Sequence, residues 1–114
     1  MTTVRQWDIV QFRIRPQDRD LHPGVVVSGE EWCASGHTTN VNVLACAKRA
    51  PADSVKSYQV VLNGADGLDF QTTADCRFFY IIPKDSVQSV TGRVSQERRR
   101  AMGRKINEVL RLLL

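Results

Sequence analysis

The apolar residues of this chain come in short runs until residue 95, and a helical period begins only beyond Ser95. There the residues Met102, Ile106, Val109, Leu110 and Leu113 recur on one helical stripe. The earlier runs are rich in β-branched residues, and loops with Gly, Pro, Asn or Asp separate them, as is typical of strands and turns. Short strands followed by one helix predict a small β-barrel with a C-terminal helix packed on it.

The strand-like segments follow one another at close spacing. We predict strands opening at Trp7 and His22, then over Asn40 to Ala47 and Ser57 to Leu62, then one or two strands up to Pro83, and a last strand over 90–94. Glu30 to Gly36 is predicted to form one helical turn that ends on a glycine cap. Most aromatic side chains are expected in the core, with only Trp32 and Tyr58 partly exposed.

The chain length accommodates one domain. We assign residues 1–114 to it, with the barrel over 4–94 and the helix over 95–113. No apolar run approaches the roughly 20 residues of a membrane span, and the N-terminal segment lacks the apolar stretch of a secretory signal. Three widely spaced cysteines argue against a disulfide framework. We therefore expect a cytoplasmic protein without a membrane partner.

The basic excess of the chain lies at its C-terminal end. Residues 1–94 carry ten Lys/Arg and ten Asp/Glu, whereas residues 95–114 carry six basic and two acidic side chains. A basic patch favours an anionic partner, either a nucleic acid or an acidic peptide. A solvated helix face has the same composition, so charge alone leaves both interpretations open.

Four segments, taken in order, resemble one known family. They are Asp8-Ile9-Val10, Pro23-Gly24-Val25-Val26-Val27-Ser28, the turn Asn63-Gly64-Ala65-Asp66-Gly67-Leu68, and Gly92-Arg93-Val94-Ser95 with its helix. In order and spacing the chain resembles the MazF/PemK (Kid-like) toxins of type II toxin–antitoxin systems from Trp7 to Leu113. The resemblance implies an SH3-like β-barrel, a homodimer, and a metal-independent endoribonuclease that inhibits growth by cutting single-stranded RNA such as mRNA. It also implies a cognate antitoxin whose acidic or apolar tail occupies the RNA groove, and no cofactor.

The resemblance also points to the catalytic positions, two of which are changed in this chain. The family commonly has an arginine before the Pro of the second strand, where this chain has His22. It commonly has a threonine or serine after the third strand, and Cys46 is nearest to that position. One branch uses an Arg-x-Asp pair on the late strand, which corresponds here to Asp75 and Arg77 in reversed order. These four residues are the candidate catalytic set.

Cleavage of RNA without a metal needs a base for the ribose 2′-hydroxyl, a cation for the crowded phosphorane and an acid for the leaving 5′-oxygen. Histidine suits the base or the acid because its side chain exchanges protons near neutral pH. Asp75 is a candidate for orienting a histidine or acting as base, and arginine suits phosphate because it donates paired hydrogen bonds. The candidate RNA-binding residues are Arg15, Arg19, Lys48, Arg49 and Trp32, the last as a surface for stacking bases.

Each of these assignments has a purely structural alternative. His22 also fits a surface loop, the Asp75–Arg77 pair a surface ion pair, and Cys46 a small buried side chain. Cys33 and His37 lie four residues apart, but no second close pair accompanies them, and we predict no metal site.

Two other functions remain open beside RNA cleavage. One is a catalytically degenerate MazF-like module that binds nucleic acid or an antitoxin, and the other is a CcdB-like poison of a protein target such as gyrase. For the homodimer that the family resemblance implies, Phe79, Ile81 and part of the C-terminal helix are the candidate contacts.

Overall fold

The computed structural model describes residues 3–48 and 54–114, and it contains one antiparallel sheet with a helix at its C-terminal end. The elements are β1 (Asp8–Phe12), β2 (His22–Val26), α1 (Glu30–Ala34), β3 (Asn40–Lys48), β4 (Gln59–Leu62), β5 (Thr72–Pro83), β6 (Val87–Arg93) and α2 (Gln96–Leu110). The six strands follow the order β4-β5-β3-β2-β1-β6. The predicted fold class is confirmed, although the sheet forms a half-barrel with β4 and β6 at its two ends.

Each face of the sheet carries its own apolar cluster, because successive side chains of a strand point to opposite faces. Ile9 and Val25 belong to a cluster that packs against Met102 of α2, which we call the α2 cluster. Their neighbours Val10 and Val26 belong to a second cluster that includes Cys33 of α1, which we call the α1 cluster. The two clusters make it possible to assign every strand residue to one face or the other.

The strand β5 is one long strand with a wide irregularity in its pairing with β3. Leu44 lies opposite Phe79, but Cys46 lies opposite Ala74, so residues 75–78 form a bulge. Strand β4 pairs only with the start of β5, from Thr72 to Asp75. Among the described residues, β5 therefore has an edge with no strand beside it beyond that point.

This open edge overturns the expectation that most aromatic residues lie in the core. Phe78 is 56% exposed, Phe79 38% and Tyr80 50%. Ile81, which follows them in β5, is 72% exposed. The physical reason is that β5 continues past the end of β4, so the side chains of its second half lack a covering neighbour.

The turn from Asn63 to Gly67 joins the sheet to α2. Gly67 has φ 81, the left-handed conformation that glycine adopts without strain. The buried carboxylate of Asp66 accepts hydrogen bonds from the backbone N–H of Asn63 (3.0 Å) and of Ser95 (2.9 Å), and it pairs with Arg98. Ser95 stands at the N-cap but forms no side-chain cap bond. Instead, the Asp66 carboxylate of the earlier turn accepts from the backbone N–H of the N-cap residue itself.

Both helices end differently from the prediction. Helix α2 ends at Leu110, and Arg111 is left-handed with φ 41, so the predicted helix to 113 is about one turn too long. Met102 is fully buried, whereas Leu110 and Leu113 are 44% and 99% exposed, because the stripe runs past the sheet that it covers. Helix α1 ends on Ser35 in an extended conformation rather than on glycine. No helix in the described ranges has the length and apolar character to cross a membrane.

Candidate active site at the end of the sheet

The candidate site lies where β2 begins, β3 ends and β5 begins. Gly24 pairs with Ala45, and continuing this register brings His22 level with Ala47. On its other side Ala47 pairs with Thr73 of β5. The antiparallel pairing therefore brings residues that are distant in sequence to one end of the sheet.

His22 is the first residue of β2 and is half-buried. It pairs with Phe12 of β1, and the two rings are tilted by 48° with their centroids 6.2 Å apart. His22, Gly24 and Val26 are every second residue of β2 and therefore share one face of the sheet. His22 thus lies on the face of the α1 cluster, to which Val26 belongs. The imidazole therefore lies beside Phe12 on that face of the sheet.

Asp75 and Arg77 form a two-pronged ion pair within the β5 bulge. The Arg77 Nε donates to Asp75 Oδ1 at 3.1 Å and its Nη2 to Oδ2 at 2.9 Å, and the Arg77 backbone N–H also donates to Oδ1. These hydrogen bonds from Arg77 lower the pKa of Asp75, although partial burial acts in the opposite direction. Asp75 is therefore a carboxylate at neutral pH, and its geometry suits holding Arg77 rather than donating a proton.

Asp75 lies on the same face of the sheet as His22. Its neighbours Ala74 and Cys76 belong to the α2 cluster, so Asp75 points to the opposite face. One strand, β3, separates β2 from β5, which places the two side chains two strand spacings apart, or roughly 10 Å. Between them β3 presents only the methyl groups of Ala45 and Ala47. Because the alanine side chains are shorter than those of His22 on one side and of the Asp75–Arg77 pair on the other, we infer a shallow depression with an alanine floor, which we call the depression.

Cys46 points to the other face of the sheet. It packs against the α2 cluster near Cys76. Burial, with a smaller contribution from Cys76, raises the pKa of the Cys46 thiol to about 12. The structure therefore does not bring this thiol to the side chains of His22 and Asp75.

The basic candidates Arg15, Arg19 and Lys48 belong to the same end of the sheet as His22. Arg15 and Arg19 are exposed in the loop between β1 and β2, and Arg13 donates to the carbonyl oxygens of Asp18 and Arg19 in that loop. Lys48 is the last residue of β3, and its side chain is outside the description. Arg49 lies outside the described residues. The loop leads directly into His22, the first residue of β2, and β3 ends one residue after Ala47.

Trp32 lies far from this end of the sheet. It belongs to α1 and is 53% exposed beside Ile81 and Asn42, near the start of β3. From Asn42 to Ala47 the strand rises by roughly 17 Å at about 3.3 Å per residue. Cys33, the other α1 residue considered above, is buried and its thiol donates to the carbonyl oxygen of Ser28.

Sequence reasoning missed the aromatic neighbours of Arg77. The guanidinium carbon of Arg77 lies 3.8 Å from the ring centroid of Tyr58 and 5.0 Å from that of Phe78. Tyr58 reaches Arg77 because Gln59 pairs with Asp75 across β4 and β5. This register depends on the loop between β3 and β4, and no local sequence signal specifies it.

An antiparallel half-barrel with a C-terminal helix is the fold of MazF toxins. An endoribonuclease from a mycobacterial species, solved with its cognate antitoxin, has a TM-score of 0.77 and 14% identity, over 100% of this chain and 99% of that one. The Mycobacterium tuberculosis toxin MazF-mt6 has a TM-score of 0.72 and 18% identity, over 94% and 99% of the two chains. MazF in the MazE–MazF complex of Deinococcus radiodurans has a TM-score of 0.76 and 12% identity, over 99% and 100%.

These likenesses establish the MazF toxin fold for this chain. No family model matches the sequence. No curated protein matches it either. The fold is therefore shared at only 12–18% sequence identity with these three solved toxins.

Proposed function

We propose that this protein is the toxin of a type II toxin–antitoxin system, a metal-independent endoribonuclease that cuts single-stranded RNA. The observation that carries the proposal is the depression on a MazF-fold sheet, in which His22 faces the Asp75–Arg77 pair across an alanine floor. In this proposal a sugar-phosphate backbone lies over the two alanines, with the imidazole of His22 on one side and the guanidinium of Arg77 on the other. The solved proteins with this fold include an endoribonuclease bound to its cognate antitoxin.

The proposed reaction is attack by a ribose 2′-oxygen on the adjacent phosphorus. The P–O5′ bond breaks, the 2′-hydroxyl proton leaves to a base, and the 5′-oxygen gains a proton, which yields a 2′,3′-cyclic phosphate and a 5′-hydroxyl. His22 carries one of these two protons. Arg77 donates to the phosphate oxygens, and Asp75 holds its guanidinium in place for that task. Cys46 has no chemical role in this scheme.

The free edge of β5 supports the proposal that the protein is a homodimer. Phe79 and Ile81 lie on the face of Asn42, and a groove between β5 and α2 is lined by Phe79, Val27 and Ile106. Exposed apolar side chains along an open strand edge are a liability unless another chain covers them. We propose that a second copy covers Phe79 and Ile81.

The proposed partners are mRNA and a cognate antitoxin, and the proposed location is the cytoplasm. The three cysteines are free thiols, as a reducing compartment maintains them. Exposed Arg100 and Arg104 on α2 offer positive charge to an acidic antitoxin segment.

Incubation of the purified protein with a long single-stranded RNA in EDTA tests the function. We expect discrete fragments with 5′-hydroxyl ends, and no cleavage of the same sequence annealed into a duplex. If the RNA stays intact but binds with a steep salt dependence, the protein is a non-cutting binding module. If RNA is neither cut nor bound, a protein target is favoured.

A further inference from the structure

The guanidinium of Arg77 lies over two aromatic rings on an exposed surface, an arrangement that we call the Tyr58–Arg77–Phe78 stack. The guanidinium carbon lies 3.8 Å from the centroid of Tyr58 and 5.0 Å from that of Phe78. Both distances are within the range of cation–π attraction. Asp75 fixes the guanidinium from its edge through Nε and Nη2. The orientation of the stack is therefore set before any ligand arrives.

Phe78, one of the two rings of this stack, is open to solvent. Phe78 is 56% exposed although it is among the most apolar side chains of the protein. The Arg77 guanidinium lies 5.0 Å from the Phe78 centroid, and more than half of the Phe78 side chain remains accessible to a ligand. An exposed, pre-oriented aromatic face beside a cation is what proteins use to stack bases of single-stranded nucleic acids.

We infer that Phe78 is a base-stacking residue and that the Tyr58–Arg77–Phe78 stack binds the nucleobase next to the phosphate held by Arg77. This inference rests on the proposed function, since it assigns the binding of single-stranded RNA to a particular surface. Arg77 contributes two bonds to Asp75 and retains its remaining N–H groups for a phosphate oxygen. The ligand is an unpaired base of any identity, because every base has a π face.

Binding of a fluorescent 2′-O-methyl oligoribonucleotide tests the inference without cleavage, because the attacking hydroxyl is blocked. Phe78→Leu keeps an apolar side chain but removes the π face, and it should weaken binding by about 5- to 100-fold. Phe78→Tyr keeps the ring and should bind like the wild type. Light scattering on each variant reports whether the assembly has changed.

A series of oligonucleotides with one abasic position each completes the test. At one position, removal of the base should weaken binding by the wild type. It should change the affinity of Phe78→Leu little, because this variant already lacks the aromatic ring on which the base would stack. Equal losses for the two proteins at every position would overturn the inference, as would a Phe78→Leu variant with wild-type affinity. In both of those cases RNA cleavage by the wild type would leave the proposed function standing, whereas a wild type that binds no RNA overturns both.

Discussion

At the scale of single residues, the two faces of the sheet separate the candidate catalytic set. His22 and Asp75 lie on one face, and Cys46 lies on the other, against the α2 cluster. The family resemblance indicated the positions, but only the alternation of side chains within each strand decides which of them share a surface. A thiol buried in this way keeps its proton at neutral pH, so it behaves as a packing group.

The buried thiols predict a loss of stability in alkaline solution. Burial raises the pKa of Cys46 from 9.0 to about 12 and that of Cys76 to about 11. Above pH 9 the unfolded chain releases these protons while the native state keeps them, so the free energy of unfolding falls as pH rises toward 12. In urea titrations at pH 7 to 10.5, Cys46→Ala should show a shallower fall than the wild type. Identical slopes would mean that Cys46 titrates normally.

The sequence does not predict the contacts of residues that are brought together by pairing between distant strands. Lys84 is only 9% exposed, and its ammonium donates to the carbonyl oxygens of Trp32 (2.7 Å) and Ser35 (2.9 Å). It thereby satisfies carbonyl groups at the end of α1, which a five-residue helix leaves open. A lone lysine after a proline carries no sequence signal for burial. The same limit applies to Tyr58, which reaches Arg77 only through the pairing of β4 with β5.

At the scale of elements, the strands and the main helix were predictable because each shows a local periodicity of apolar residues or is bounded by turn residues. The alternation in β3, the β-branched run in β2 and the Asn63–Gly67 turn all match the structure. The extent of β5 was not predictable, since its bulge and its unpaired edge depend on where β3 and β4 stop. The aromatic residues of β5 were expected in the core for that reason.

Several basic side chains of α2 form ion pairs or hydrogen bonds within the chain. Arg98 pairs with Asp66, Arg99 donates to the Val94 carbonyl oxygen, and Lys105 donates to that of Ser57. Arg100 and Arg104 remain exposed. A binding partner of this helix would therefore meet fewer available charges than the sequence suggests.

A pair of glycine substitutions tests how α2 is attached to the sheet. A Cβ at Gly92 would overlap the carbonyl oxygen of Asp66, whereas a Cβ at Gly103 in α2 meets no described atom within 4 Å. Gly92→Ala should lower the free energy of unfolding by about 1–3 kcal/mol because the turn must shift. Gly103→Ala should raise it by up to about 1 kcal/mol through helix propensity. Urea denaturation measures both, and a shift of the same sign in the two variants would contradict the packing described here.

At the scale of the whole molecule, the open edge of β5 and the exposed apolar residues beside it are the surface that the proposed second copy would cover. Apolar side chains are exposed along the second half of β5, and Ile81 is the most exposed of them. Strand β3 lies along one edge of this half of β5, but the pairing of β4 with the other edge ends at Asp75. The proposed homodimer would complete the surface and place two depressions in one assembly.

Two isoleucine substitutions test this assembly. Ile81 is 72% exposed on β5, and Ile14 is 64% exposed in the loop after β1. The wild type should show about twice the monomer mass of 12.9 kDa in light scattering at tens of micromolar. Ile81→Asp should shift the population toward the monomer because a charge would be buried at the interface, and Ile14→Asp should not. A wild type that is monomeric at that concentration would rule out the dimer.

The central claim is that a depression flanked by His22 and Arg77 cuts RNA without a metal. The most direct measurement compares the wild type, His22→Ala and His37→Ala on one long single-stranded RNA in EDTA, with the 5′ ends mapped. His37, the other histidine of the chain, is exposed away from the depression and serves as the matched control. We predict 5′-hydroxyl ends at discrete positions for the wild type and His37→Ala, and a rate lower by about 10²- to 10⁴-fold for a folded His22→Ala. Undiminished cleavage by His22→Ala, or cleavage by the wild type only after a divalent metal is added, would contradict the account.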